Sequence, residues 1–391
     1  MPALTLTSTN AERSAAPRTG LRLALAGGGT GGHIVPGLHL LATATESAPE
    51  AIADLVWFTS GRAVEERVLA GLERASGRTP AERVPLPLEP EGGGAPSRSA
   101  LVLRTPRAVV RARAALVQHQ AEVVLGLGGF TALPVVLAAR SLSIPVALLE
   151  INASPGAATR WLARFSKRVL HAWPATMHGA EATRNVLTGP PLAPEFARGA
   201  PSVETAARAR AELGFDAGRP LLVVLGGSQG ASGLNQFVRA HAPGMVASGV
   251  QVLHQTGPGR ASEGLPAFTG YRAIEYVDPA WRALAASTAV LCRGGASTLA
   301  EVAALRRPAV VVPYPHHADH HQEKNAAELG DGVRVVVEER LGLSMRHELV
   351  RLCAPAGAAE RARMSEALAR AMPLDGSAKI RAELEALGRK R

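Results

Sequence analysis

The chain reads as an α/β protein built from two doubly wound, parallel-sheet domains facing a cleft. Three observations predict this. Short unbroken apolar runs alternate with longer amphipathic ones, the pattern of parallel strands covered by helices on both faces. A strand, a glycine turn and a helix open at "LALAGGGTGGHIVPG" (23–37), and the same opening returns at "RPLLVVLGGSQGASGLNQ" (219–236). A proline-rich stretch, 187–202, lies between them as a natural linker. The length of 391 residues suits two or three domains rather than one.

Taken in order, residues 1–20 read as a polar disordered tail without the apolar stretch of a signal peptide. The first domain, 21–190, takes strands at 22–26, 55–59, 123–127 and 146–149 from its short apolar runs. Its amphipathic runs predict helices at 35–44, 64–75, 106–118 and 131–141. Residues 85–100, "PLPLEPEGGGAPSRSA", form a loop longer than a connector requires. The second domain, 191–372, repeats the scheme. After 219–236 comes "TAVLCRGGASTLAEVAAL" (288–305), again strand, glycine turn and helix, then a strand at 309–313. Residues 373–391 are expected to form a helix returning to the first domain. In such sheets ligands bind beyond the carboxyl ends of the strands, so facing domains place the site between them.

The formal net charge is +10, which suits a phosphorylated substrate, an anionic membrane surface or nucleic acid. Aromatic residues are only 4%, thin for a protein that stacks bases, and nucleic acid is set aside as a partner. Cys292 and Cys353 make neither a disulfide framework nor a zinc pattern, so a reducing compartment is expected. The most apolar stretch, "ALPVVLAARSLSIPVALL" (132–149), is broken by Arg140 and by prolines. It reads as helix, turn and strand rather than a membrane span. The expectation is a cytoplasmic protein whose membrane contact is peripheral.

The first glycine run, "GGGTGGH" (27–33), lacks the lysine of a P-loop. It satisfies G-x-G-x-x-G, but the second strand ends "FTSGR" (58–62) with no acid to grip a ribose, which argues against a dinucleotide site. A tight turn without ligand is the plain alternative. The second run, "GGSQGASGLN" (226–235), offers helix N-terminal amides plus Ser228 and Gln229 to a diphosphate. In the third, "RGGASTLAE" (293–301), Ser297 or Thr298 is expected to cap the helix. Glu301 then lies one turn inside, where its paired oxygens suit the two hydroxyls of a ribose.

Seven motifs carry a resemblance: "GGGTGGHIVPG" (27–37), "LGLGGFTALP" (125–134), "EINASPGAATRWLARFSKRV" (150–169), "GGSQGASGLN" (226–235), "HQTGPG" (254–259), "CRGGASTLAEVAA" (292–304) and "PYPHHADHHQEKNA" (313–326). In this order they resemble the cytoplasmic glycosyltransferases of peptidoglycan synthesis that make lipid II. The resemblance implies a GT-B fold, two Rossmann-like domains with the active site between them. It implies UDP-GlcNAc as donor, and undecaprenyl-diphospho-MurNAc-pentapeptide (lipid I) as acceptor. It also implies peripheral attachment to the anionic cytoplasmic face of the inner membrane, with no cofactor and no metal. Thr30, Gly31, Gly32 and Asn152 match donor-contacting positions of the first domain, and Ser228 matches a contact near the diphosphate. Val277 matches a backbone contact to uracil. Ala296, Ser297, Thr298, Leu299, Ala300 and Glu301 match the nucleoside loop, with Glu301 on the ribose. Gln322 matches the reader of the GlcNAc hydroxyls, with Asn325 a weaker neighbour.

The chain departs from the pattern where "LEIN" (149–152) replaces "HEQN", so Leu149 and Ile151 stand for polar residues. Phe130 replaces a tyrosine, and Leu192 follows "PP" where an arginine follows "NP". Transfer from an α-linked donor to a β-linkage requires inversion. A base with a pKa near the working pH serves this best, which points to His33 as base or acceptor-orienting residue, with Glu150 as its rival. "HHADHH" (316–321) invites a metal reading against the family's use of the segment for sugar contacts. Arg104, Arg107, Arg111 and Arg113 among apolar residues of 99–118 read either as a solvated helix face or as contact with anionic lipid. Two other functions stay open: a GT-B enzyme with another glycolipid or small-molecule acceptor, and a non-catalytic nucleotide-sugar binder.

Overall fold

A computed structural model describes residues 20–29, 31–86, 88, 98–177, 184–316 and 319–389. The first sheet holds β1 (Leu21–Gly27), β2 (Ile52–Thr59), β3 (Ala81–Pro85), β4 (Val123–Gly128), β5 (Val146–Glu150), β6 (Arg168–His171) and β7 (Asn185–Leu187). The second holds β8 (Leu221–Leu225), β9 (Gln251–Gln255), β10 (Tyr271–Ile274), β11 (Ala289–Cys292), β12 (Ala309–Val311) and β13 (Val333–Val335). Their orders are 3-2-1-4-5-6-7 and 10-9-8-11-12-13, with every pairing parallel. Each order reverses at the sheet's first strand, and each glycine turn follows that strand. Both turns therefore sit at a switch point, where an open parallel sheet leaves its crevice.

Strands such as β8, "LLVVL", are buried throughout because helices cover both faces of the sheet. Trp57 is buried on one face of the first sheet with Leu25 and Leu125, and Phe58 on the other with Val124 and Val136. The helix expected from residue 35 begins at Gly31 and runs to Ser47 with Pro36 inside it. The helix expected at 64–75 is two, Ala63–Leu69 and Leu72–Ser76, divided at Ala70–Gly71. The helix expected at 106–118 starts earlier, at Arg98, and carries Pro106 in its interior. Residues 1–19 and most of the 85–100 loop lie outside the described residues.

Ile380 and Leu384, on the helix Gly376–Gly388, pack in the core of the first sheet beside Leu21, Leu23 and Leu40. The chain thus passes between the sheets twice, and the two crossings touch. Ser377 Oγ accepts from Leu192 N and donates to Leu192 O, both at 3.0 Å. Gly376 lies so close to the other crossing that a Cβ there would stand 2.2 Å from Pro190 O. No helix among the described residues is long and apolar enough to cross a membrane.

Candidate active site

A cavity of about 510 Å³ opens beside the first glycine turn, lined by His33, Gly128, Phe130, Glu150, Asn152 and Trp161 among others. His33 is the third residue of the helix Gly31–Ser47. Its ring lies against the turn after β4, where a Cβ on Gly128 would stand 2.9 Å from Cδ2 and one on Gly129 would stand 3.1 Å from Nδ1. Both glycines also hold positive φ, 104° and 73°, so the seat requires glycine twice over. His33 Nδ1 is 3.2 Å from Gly28 O. A carbonyl only accepts, so Nδ1 carries the hydrogen and Nε2 is the basic nitrogen. Burial pushes the His33 pKa below its ordinary 6.5, against smaller opposing effects of the Gly28 carbonyl and the Glu150 charge. The ring is therefore neutral at physiological pH.

Glu150 ends β5 and is only 5% exposed. Its Oε1 accepts from Asn152 N at 3.1 Å and Asn152 Nδ2 at 3.0 Å. Its Oε2 accepts from Gly156 N at 2.8 Å and Thr159 Oγ1 at 2.6 Å. The carboxylate is thereby committed to shaping the loop 150–159. Trp173 Nε1 and Thr176 Oγ1 fasten that loop from behind through Ile151 O and Asn152 O, each at 2.9 Å.

Glu65 completes the first glycine turn, and sequence reasoning passed over it. Its buried carboxylate accepts from Gly29 N, from Ser60 Oγ at 2.7 Å, from Ser60 N at 3.1 Å and from Gly61 N at 3.0 Å. A dinucleotide site requires an acid at the end of β2 for a ribose. The acid present is on the next helix and binds backbone. Thr30 lies outside the described residues. Gly31 is buried, and a Cβ on it would stand 3.3 Å from Ser228 Cβ, so the first and second glycine turns meet across the cleft. Gly32 is exposed.

On the second domain, Ser228 is half-buried and Gln229 exposed. Val277 is half-buried after β10 and packs on the domain's core. The third turn corrects one expectation. The helix is Ala296–Ala304, its N-cap is Gly295, and no side chain caps it. Ser297 and Thr298 lie inside the first turn because Gly295 already supplies the extended backbone of a cap. Ala296, Leu299 and Ala300 are buried in the core, and Glu301 turns to the cleft. Its Oε1 is 3.7 Å from His39 Nε2, on the first domain's opening helix. Burial pushes Glu301 up to about 8 and His39 down to about 4, so both are neutral at pH 7. His39 gave no signal in the sequence beyond being one histidine on an amphipathic helix.

Gln322 begins the next cluster. Its Oε1 accepts from Gly294 N at 3.1 Å and Tyr314 N at 2.9 Å, so its amide oxygen is used to fix the third turn and the strand end beside it. In the histidine-rich loop, His320 pairs with Glu323 at 3.1 Å and His321 with Asp319 at 2.8 Å, while His317 lies outside the described residues. Among the described residues no three His, Cys, Asp or Glu side chains are grouped to hold a metal ion.

The N-terminal domain model of glycosyltransferase family 28 matches residues 23–171, and the family's C-terminal domain model matches 221–371. A UDP-N-acetylglucosamine–N-acetylmuramyl-(pentapeptide) pyrophosphoryl-undecaprenol N-acetylglucosamine transferase of Paenarthrobacter aurescens is 39% identical over 377 residues, covering 93% of this chain and 95% of that one. The namesake from Sorangium cellulosum is 36% identical, covering 93% and 88%. This chain belongs to that transferase family. The crystal structure of Acinetobacter baumannii MurG superposes with a TM-score of 0.63 at 22% identity, covering 93% of this chain and 98% of that one. The UDP-GlcNAc 2-epimerase of Neisseria meningitidis gives 0.63 at 13% identity, covering 93% and 99%. At these identities the likeness shows the fold, GT-B.

The departures from the family's pattern fall in apolar surroundings. Leu149 is buried in the core of the first sheet and Leu192 in that of the second. Ile151 packs on both cores and so spans the seam. Of the four, Phe130 and Ile151 line the cavity.

Proposed function

We infer that the chain transfers GlcNAc from UDP-GlcNAc to the 4-hydroxyl of lipid I, forming lipid II, by a single inverting displacement. The observation that supports the geometry best is the meeting of Gly31 with Ser228, which brings the turn that carries His33 against the glycine turn of the second sheet. In this reading His33 Nε2 takes the proton of the acceptor hydroxyl as its oxygen attacks C1. The bond from C1 to the diphosphate breaks, and its electron pair leaves with UDP. Amides and the hydroxyl at Ser228 stabilise the charge that develops there. Glu301 accepts from the ribose, the backbone at Val277 meets the uracil, and Gln322, with Asn152 opposite, reads the sugar. Glu150 acts as the anchor of the loop rather than as the base, since its oxygens already accept four hydrogen bonds.

The reading places the acceptor's lipid on the outer face of the helix Arg98–Gln118. Leu103, Val110 and Val117 are exposed there beside Arg107, Arg111 and Arg113. Arg113 reaches Ser141 Oγ at 2.6 Å, and Arg140 stacks over Phe165 at 5.4 Å. These contacts continue the face to the half-exposed Trp161, over which Arg164 lies at 4.8 Å. Arginines interleaved with apolar side chains suit the anionic inner leaflet. UDP release from UDP-GlcNAc with a short-chain lipid I analogue tests the function, with UDP-GalNAc as the poor donor. Release with other acceptors only, or donor binding without release, overturns it. Flotation with anionic but not neutral vesicles checks the lipid face.

A further inference from the structure

Asn325 is fully buried and hydrogen-bonds to both domains. It lies one turn beyond Gln322 on the helix His321–Ala327. Its Oδ1 accepts from Ala153 N at 2.8 Å. Its Nδ2 donates to Asn152 Oδ1 at 3.2 Å and to Gly294 O at 3.0 Å. The amide cannot be turned over: Ala153 N–H only donates and Gly294 O only accepts. The order continues on each side. Asn152 offers its oxygen to Asn325 because its nitrogen already donates to Glu150, whose carboxylate shapes the cavity beside His33. Gly294 is held at its carbonyl by Asn325 and at its N–H by Gln322. A Cβ on Gly294 would stand 2.4 Å from Gln322 O, so the turn fits its support only as glycine. An unbroken line of hydrogen bonds thus runs from Thr159 and Gly156 through Glu150, Asn152 and Asn325 to the start of the nucleoside turn.

We propose that Asn325 is a positioning residue for transfer, holding the acceptor loop 150–159 and the nucleoside turn at Gly294 in one register across the cleft. This rests on the transferase reading above. Only asparagine meets the arrangement. Aspartate would oppose a carboxylate to Gly294 O and Asn152 Oδ1, and leucine or alanine would leave Ala153 N–H unpaired. Misplacing one reacting group against another by about an ångström costs about 10²-fold in rate.

The full chain is assayed with UDP-GlcNAc and a lipid I analogue, alongside calorimetric UDP binding. For Asn325→Asp, nearly the same size, and Asn325→Ala, kcat is expected to fall about 10²-fold. The donor KM and UDP affinity stay within about twofold, the latter also reporting an intact second domain. Asn152→Ala combined with Asn325→Ala is expected to cost no more than the worse single change, because both break one line. An unchanged kcat overturns the proposal, as does a raised donor KM at unchanged kcat, which would make Asn325 a plain donor ligand. Additive losses overturn it too. If the unaltered chain neither binds UDP-GlcNAc nor releases UDP, the transferase reading has failed instead.

Discussion

The glycine turns after β1 and β8 hold equivalent places in their sheets yet are finished in opposite ways. The first is sealed from within: Gly29 N–H meets Glu65, whose carboxylate also gathers Ser60 and Gly61. An anion placed at that amide would meet a charge already there. In the second turn the stretch Gly227–Gly230 is braced by neutral groups, while Arg260 bonds Ser232 Oγ and the Glu338 carboxylate lies against Gly233 at the start of the helix that follows. Gln255 Nε2 holds Gly227 O at 2.9 Å, and Gly230 is pressed so near Thr256 that a Cβ would stand 2.1 Å from its carbonyl oxygen. Among the described residues no acceptor bonds the N–H of Ser228 or Gln229. Two turns of similar sequence therefore differ in whether their amides are still to be satisfied. That difference supports the proposal that the donor's diphosphate binds at the second domain, with His33 seated on the first.

The largest effect expected from this contrast is at His33. On the proposed role of His33 as base, His33→Ala should lower kcat by about 10²–10⁴-fold while UDP affinity holds, since a base acts on the acceptor hydroxyl rather than on UDP. In the unaltered chain kcat should fall as pH drops through a value below 6.5, because the proton then occupies the base. That acid limb should vanish in the variant, and an unchanged single-turnover rate would break the assignment. Next come the supports of the turns themselves. Glu65→Ala strands buried donors at about 1–3 kcal/mol each, so Tm and kcat should fall together with UDP affinity unchanged. Ser228→Ala should do the reverse, keeping Tm and weakening UDP by about tenfold, the loss of one hydrogen bond to a charged group. If both variants lost UDP affinity alike, the contrast between sealed and open turns would be wrong.

The smallest effect separates the domains by pH. His119 is buried against Asp54 at 2.5 Å and Glu82 at 3.0 Å, and its bond to Asp54 leads the effects that raise its pKa. A raised folded pKa gives stability that is complete below 6.5 and is lost as pH climbs through the raised value. His254, in the second domain, bonds the neutral Asn235 and Tyr271 at 2.9 and 3.0 Å, and burial holds it down to about 4. Its contribution is lost as pH falls from 6.5 toward 4. Amide exchange should therefore loosen β2 and β3 first at alkaline pH and β9 and β10 first in acid. His119→Gln should flatten only the alkaline response.

What was legible in the sequence follows from what each element must satisfy alone. Strands buried on both faces, such as β1, β4 and β8, announce themselves as unbroken apolar runs. β3, "AERVP", is an edge strand with four of its five residues exposed, so no apolar pattern marks it. Residues of local motifs that line the cavity, such as His33 and Glu150, could be picked out. Glu65 could not, because a carboxylate that binds backbone amides leaves no partner in the sequence to look for. Asn325 could be named but not understood, since its amide joins Asn152 across 173 positions of chain. The cap expected at Ser297 or Thr298 failed because Gly295 already had the required backbone.

The two touching crossings at Pro190 and Gly376 have a consequence for how the molecule is made. The first strand and the last described helix lie together in the first domain, where a Cβ on Gly388 would stand 2.5 Å from Leu21 Cδ1. The second domain is thus an insertion within the first. On the ribosome its last strand, Val333–Val335, emerges before the helix Gly376–Gly388 that closes the first domain's core. The domain begun first is finished last, and until the final helix arrives Leu21, Leu23 and Leu40 lack the cover of Ile380 and Leu384. A nascent chain stalled shortly before residue 376 would carry a complete second domain and an uncapped, chaperone-attracting first one.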